Sequence, residues 1–178
     1  MSFAISTLAS CSVMQYNIPM KAKLIEFDIA ARFRKKKKTF AIAESCTGGL
    51  VSHRITDVPG SSRYYRGGVV AYSNAIKISI LGVPKELIKK HGAVSRQVAK
   101  AMAFGMRSLT GADIVAAVTG IAGPSGGTPE KPVGLAYISV LSNKSCTIKK
   151  VLFEGSRMEI KTVFAEAVLK EIKKKIGA

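Results

Sequence analysis

The feature that narrows the choice of fold most is a junction. At 113–118 the chain reads Asp-Ile-Val-Ala-Ala-Val, and it runs straight into Thr-Gly-Ile-Ala-Gly-Pro-Ser-Gly-Gly at 119–127. An apolar run without alternation predicts a strand covered on both faces, because a half-exposed strand puts a polar side chain at every second position. The stretch beyond it holds Gly120, Gly123, Gly126 and Gly127, too much glycine for anything but a loop. A strand buried on both faces needs helices above and below it, which points to the α/β class.

The remaining pattern agrees. Ile25, Ile29 and Phe33 recur at helical spacing, so 21–36 reads as an amphipathic helix, ended by Lys35–Lys38. A short apolar strand follows at 39–43, a helix at 49–55, and a second buried strand at 67–72. Short helices are expected at 74–81 and 84–91, the latter with Pro84 in its first turn. Ser95 caps a longer helix to about Leu109. Segments 133–141 and 147–153 read as an antiparallel pair joined at 142–144, before a closing helix at 156–176. The expectation is one three-layer domain over 21–178, a mixed sheet flanked by helices, with neither repeat nor linker.

Residues 1–20 read as an N-terminal extension, poorly attached, or as the product of a start codon upstream of a functional Met20. Residues 1–19 carry no charge, and charge begins at Lys21. Leu-Ala-Ser-Cys at 8–11 has the look of a lipoprotein cleavage box. No basic residue precedes it and the apolar stretch is too short for a signal segment, so a cytoplasmic location is expected. Apolar residues make up 47% and charged residues 22%, a globular balance that excludes a disordered chain. The three cysteines, Cys11, Cys46 and Cys146, have no paired spacing, and only two histidines, His53 and His91, are present. Neither a disulfide framework nor a zinc site is expected.

The net charge of +17 suits anionic partners: nucleic acid, an anionic membrane surface or a phosphorylated small molecule. The plainer reading is a lysine-rich surface, because the lysines are scattered over helix faces. The densest clusters, Arg32–Lys38 and Lys170–Lys175, fall at helix ends, where cations suit the dipole. Aromatic residues do not interleave with them, so nucleic acid is a possible but unfavoured partner.

In folds of this class, ligands bind beyond the carboxyl ends of the strands. Two loops occupy that edge, Glu44–Gly49 and Thr119–Gly127. Ser45 stands just past a strand and just ahead of a helix, where backbone N–H groups favour an oxyanion or phosphate. Ser45 or Thr47 serves equally well as a simple helix cap there.

Six motifs in order make the site more specific. Ala-Glu-Ser-Cys-Thr-Gly-Gly at 43–49, Gly-Ser-Ser at 60–62, Tyr-Ser-Asn at 72–74 with Lys77, Gly-Ala-Val-Ser at 92–95, Thr-Gly-Ile-Ala-Gly-Pro at 119–124 and Lys-Pro-Val-Gly at 131–134 follow one another. The series closely resembles the C-terminal domain of the CinA competence/damage-inducible family over residues 21–176. Stand-alone members of that family include nicotinamide mononucleotide deamidases. The resemblance implies hydrolysis of the nicotinamide carboxamide to nicotinate mononucleotide and ammonia. It implies no metal or organic cofactor, a small-molecule nucleotide substrate, no membrane, and a homo-oligomer, dimer or larger. Longer family members carry a pyrophosphatase-like domain ahead of this one, whose activity is not carried over.

Amide hydrolysis needs a nucleophile, a base, an acid for the departing ammonia and oxyanion donors. Under the resemblance Ser45 is the candidate nucleophile. No histidine sits in a motif, so Lys77 is the candidate base, provided that its pKa is lowered. A surface lysine or a phosphate ligand is the alternative for Lys77. Cys46 is the rival nucleophile, or a small buried hydrophobe. Glu44 orients Ser45 or Lys77, or caps the helix. Tyr72 joins the catalytic candidates, and Tyr72 with Asn74 suits ribose or carboxamide contacts. Thr47, Gly48, Gly49, Thr119, Gly120, Gly123 and Ser125 are candidate binding residues, and Arg157 a phosphate clamp. Four residues on, Lys161 stands where relatives often carry Arg, and it lacks the bidentate fork.

Overall fold

The computed structural model describes residues 25–143 and 145–177. The N-terminal extension, Cys11 and the expected first turn at 21–24 lie outside them. Helix α1 (Ile25–Lys36) leads into β1 (Phe40–Glu44), α2 (Leu50–Thr56) and a 3-10 turn at Ser61–Arg63. Strand β2 (Tyr65–Val70), helices α3 (Asn74–Ser79), α4 (Lys85–His91) and α5 (Arg96–Thr110), and strand β3 (Ile114–Gly120) follow. Strands β4 (Leu135–Leu141) and β5 (Cys146–Leu152) and helix α6 (Arg157–Gly177) close the chain.

The sheet runs β2-β1-β3-β4-β5. Strand β1 pairs in parallel with β2 and β3, while β4 and β5 extend the sheet antiparallel. The chain is a single three-layer α/β domain. On one face α1, α2 and α6 bury Ile29, Phe33, Val51, Phe164 and Val168 against Phe40, Ile42, Ala116 and Val118. On the other, α5 buries Val98, Met102 and Met106, at i, i+4 and i+8, against Ala41, Ala43, Val115 and Ala117. Truncating one such side chain to Ala costs roughly 2–5 kcal/mol. Alanines on the sheet's inner positions let both layers approach β1 and β3, and the buried aromatics, Phe33, Phe40, Tyr64 and Phe164, all lie on the α1/α2/α6 face. The Ser95 hydroxyl accepts from the Val98 N–H at 3.3 Å and starts α5; Gly111, with φ 64°, ends it.

One strand differs from expectation. The segment at 67–72 reads as buried on both faces, yet β2 is the sheet's edge and spans Tyr65–Val70, with Val70 47% exposed. Its Gly-Gly-Val-Val run has a local cause. A Cβ on Gly68 would lie 2.6 Å from both the Ser52 and Tyr65 hydroxyls, which bond each other at 2.7 Å. Close approach to α2, not burial in the sheet, removes polar side chains from this strand.

Candidate active site

Strands β1 and β3 end side by side, and the loops after them meet. Ser45 is the first residue beyond β1; its N–H still donates to Val118 on β3 at 3.0 Å. The turn that follows is built on Glu44. Its buried carboxylate accepts from the Thr47 hydroxyl (2.7 Å), the Gly49 and Val51 N–H groups (both 3.1 Å), and the N–H (2.8 Å) and hydroxyl (2.6 Å) of Ser52. The three N–H groups are orphan donors of the α2 N-terminus, so Glu44 acts as a cap reaching forward from the strand.

Lys77 arrives from the other face. Ser73 caps α3, its hydroxyl accepting from Ile76 N–H at 3.2 Å, and Lys77 is the buried residue of that short helix. At 2% exposure its ammonium position is out of solvent. Lys77 Nζ donates to Ser45 Oγ at 3.0 Å, to the Ala71 carbonyl at 2.8 Å and, at 3.5 Å, to that of Tyr72. No carboxylate pairs with it among the described residues. Burial in low dielectric without a counter-charge lowers the lysine's pKa below its ordinary 10.5. A neutral amine has two N–H bonds for the two carbonyls and one lone pair for the serine hydroxyl. The three contacts accommodate that form as well as the ammonium, and the lowered pKa favours it.

Cys46, next to Ser45, is a poor rival. Burial, with Glu44 close by, pushes its thiol up to about 12. At neutral pH almost no thiolate forms, and thiolate is the reactive species.

The hydroxyl of Ser45 opens on a cleft of about 220 Å³ lined also by Cys46, Tyr72, Gly123, Ser125 and Arg157. Larger hollows exist, one of about 620 Å³ between α1, β5 and α6. Another, of about 310 Å³, also sets a serine beside a lysine, Lys175 Nζ donating to Ser145 Oγ at 2.7 Å, but that contact is exposed where Ser45 and Lys77 are buried. Arg157 forms one wall, donating to the Tyr72 hydroxyl at 2.7 Å and to the Gly123 carbonyl. Gly123 has φ 75°, and a Cβ there would lie 2.6 Å from Val133 Cγ1, so only glycine fits. Among the described residues, the N–H groups of Cys46, Gly123 and Gly126 donate to no protein acceptor, which leaves them for a ligand anion.

Ser45, Lys77, Tyr72, Gly120, Gly123, Ser125 and Arg157 are thus brought together. Other candidates are not. Glu44 and Thr47 are buried beneath the turn and spent on each other and on α2. The Thr119 hydroxyl is 1% exposed in its residue and donates to the Ala93 carbonyl at 2.9 Å, tying down the loop before α5. Asn74 is exposed at the start of α3, outside the lining. Gly49 heads α2 with φ 95°, and Gly48 lies next to the Lys161 amine, 3.5 Å from where its Cβ would stand. Lys161 and Arg157 therefore stand one helical turn apart on the same side of the site. The contacts that sequence reasoning missed are mostly backbone: the carbonyls of residues 71 and 72 that hold the amine carry no residue-type signal. His53, on the exposed surface of α2, and His91, at the end of α4, stay away from Ser45.

Known proteins share this arrangement of chain. The CinA-like protein of Geotalea uraniireducens is 48% identical over 152 residues, covering 85% of this chain and 36% of that protein. The CinA-like protein of Thermotoga maritima is 48% identical over 148 residues, 83% of this chain and 36% of its own length. The chain spans little more than a third of such relatives. Among solved structures, the competence/damage inducible protein CihA from Agrobacterium tumefaciens superposes with a TM-score of 0.84 at 33% identity, over 90% of this chain and all (100%) of that one. A competence-damaged protein (CinA) superfamily protein from Enterobacter cloacae gives 0.82 at 27% identity, over 92% and 99%. The model of the CinA C-terminal domain matches residues 21–176, and the chain belongs to that family.

Proposed function

We propose that the protein is an amidohydrolase that deamidates nicotinamide mononucleotide through a Ser45–Lys77 pair. One observation carries the reading: a buried lysine without a counter-ion, its pKa lowered, lies 3.0 Å from a serine hydroxyl at the mouth of a glycine-lined cleft. In the first step Ser45 Oγ bonds to the carboxamide carbon while its proton passes to the neutral Lys77 amine. The carbonyl oxygen gains the displaced electron pair and is held by unpaired N–H groups, Cys46 and Gly123 being the nearest in kind. The intermediate collapses: the Lys77 ammonium gives its proton to the amide nitrogen, the C–N bond breaks, and ammonia leaves. Water, deprotonated by the same amine, then attacks the ester carbon, and the Lys77 ammonium returns the proton to Ser45 Oγ as the C–O bond breaks, releasing nicotinate mononucleotide.

The cations support a phosphorylated substrate. Arg157 lines the cleft, Lys161 stands one helical turn further along α6 beside Gly48, and Tyr72 is 60% exposed beside Arg157, where a ribose hydroxyl or the pyridine can meet it. The cleft is smaller than the roughly 300–1,000 Å³ that encloses most small ligands, so part of the nucleotide stays at the surface against these side chains. A cytoplasmic place belongs to the same reading, since a charged nucleotide does not cross a bilayer unaided; no helix among the described residues is long and apolar enough to span one. Self-association belongs to it too: exposed Ile80, Phe104 and Leu109 border a groove of about 590 Å³ on α5.

The test is ammonia release from nicotinamide mononucleotide by the purified protein. Activity in the parent, lost in Ser45→Ala and in Lys77→Ala with folding intact, is expected. An inactive parent, or full activity in Ser45→Ala, removes the reading.

A further inference from the structure

The amino ends of the parallel strands, opposite the cleft, gather charge that the sequence keeps apart. The runs Arg32–Lys38 and Lys170–Lys175 sit at the ends of α1 and α6, and the two helices run side by side in the same direction. Lys36 Nζ reaches the Gly177 carbonyl at 3.4 Å, 141 residues along the chain, and Lys173 pairs with Asp28 at 2.8 Å. The lysine runs therefore form one continuous surface. Arg63, from the 3-10 turn, joins it: Arg34, Lys37, Lys38 and Arg63 line a cleft of about 310 Å³ over the ring of Tyr64. Lys38 is shared with a second cleft of about 310 Å³, which reaches Lys175 by way of Asp113 and Ser142.

Asp28, Asp113 and Glu171 neutralise part of this surface, pairing with Arg32 and Lys173, with Lys38, and with Lys174. Among the described residues, Arg34, Lys35, Lys36, Lys37, Arg63 and Lys175 pair with no carboxylate. Five of these are exposed: Arg34, Lys35, Lys36, Lys37 and Arg63. Like charges held this close repel and weaken the fold unless an anion collects there. The large exposed aromatics, Tyr72 and Phe104, lie at the opposite end and on the other face. The clefts about Lys38 offer charge without exposed aromatic planes, and the apolar hollow of Ile25, Val151, Phe153 and Val163 adjoins only ion-paired cations, Arg32, Lys170, Lys173 and Lys174.

We propose that this end of the molecule docks duplex nucleic acid through its phosphate backbone, without reading its sequence. Basic clefts adjoining at Lys38 suit phosphate groups, while the absence of exposed aromatics there disfavours single strands, which bind by stacking. The inference is independent of the amidase reading, because the two sites share no residue.

The experiment is fluorescence anisotropy of a labelled 20-base-pair duplex titrated with the parent protein from 50 to 200 mM salt. The comparison is Arg34→Glu/Lys37→Glu/Arg63→Glu against Lys85→Glu/Lys89→Glu/Lys90→Glu, an equal charge change on exposed positions of α4. Both triple variants change exposed side chains only, and circular dichroism checks their folds. The parent is expected to bind in roughly the micromolar range with affinity falling steeply in salt. The first variant should bind at least tenfold more weakly with a shallower salt slope, and the α4 variant within twofold of the parent. Equal weakening in both variants would show diffuse attraction by net charge and overturn the proposal. So would binding only to anionic phosphatidylserine vesicles, tighter binding of a single strand than of the duplex, or no binding at 100 mM salt.

Discussion

Lysine does opposite things at the two ends of the sheet. At the carboxyl end Lys77 is folded inward, its amine held by two carbonyls and a serine hydroxyl, with no counter-charge. At the amino end Lys35, Lys36 and Lys37 stand in water. Residue type therefore does not set the chemistry. Dielectric does: desolvation disfavours the charged form of Lys77, while its solvated counterparts remain cations that can only attract.

The largest effect expected from breaking this contrast is at the buried end. Lys77→Ala, and Lys77→Arg, which keeps charge but cannot give up its proton, should each lower kcat/KM on nicotinamide mononucleotide by about 10³-fold or more. If Lys77→Arg retains activity, proton transfer through that position is excluded. Next comes Glu44, which supports the turn without touching the cleft. Glu44→Ala strands buried donors and should cost roughly 3 kcal/mol in urea unfolding. A loss below about 1 kcal/mol would mean that the α2 donors find water instead.

The pH dependence sharpens the same point. Since the folded pKa of Lys77 is lowered, kcat/KM should rise about tenfold per pH unit below that pKa and level off above it. Stability has the same sign. Between the lowered folded value and the unfolded 10.5, the unfolded chain binds a proton that the native state does not, so stability rises with pH across that window. A pH–rate profile flat from 6 to 10 in assay would contradict a titrating base. Smaller still is Cys46→Ala, which should leave kcat/KM within about threefold, with the parent thiol resisting iodoacetamide at pH 7, because a buried thiol near 12 supplies no thiolate. The smallest effect is at the exposed end: Lys37→Ala should shift unfolding free energy by no more than about 0.5 kcal/mol.

Much of the fold could be read from the chain because local burial and local sequence agree. Strand β3 reads as buried on both faces and is; α5 shows its apolar stripe and its Ser95 cap in the letters themselves. The segment around Gly68 misleads because glycine is silent about its cause: it serves burial and close approach alike, and here it admits the Ser52 and Tyr65 hydroxyls. At the site, Ser45 and the loop from Gly120 are visible through their place after strands. The bonds that hold Lys77 are not, because backbone carbonyls look the same at every residue.

By itself, then, the sequence determined the class of fold and the two loops at the carboxyl edge, since hydrophobic period and glycine content act over a few residues. Tertiary structure alone decided which polar groups lie in the dry interior and which face water. It turned Glu44, Thr47 and Thr119 away from the cleft, brought residue 77 onto residue 45, and joined two lysine runs more than a hundred residues apart. Desolvation and charge summation depend on distance in space, and no periodicity along the chain records it.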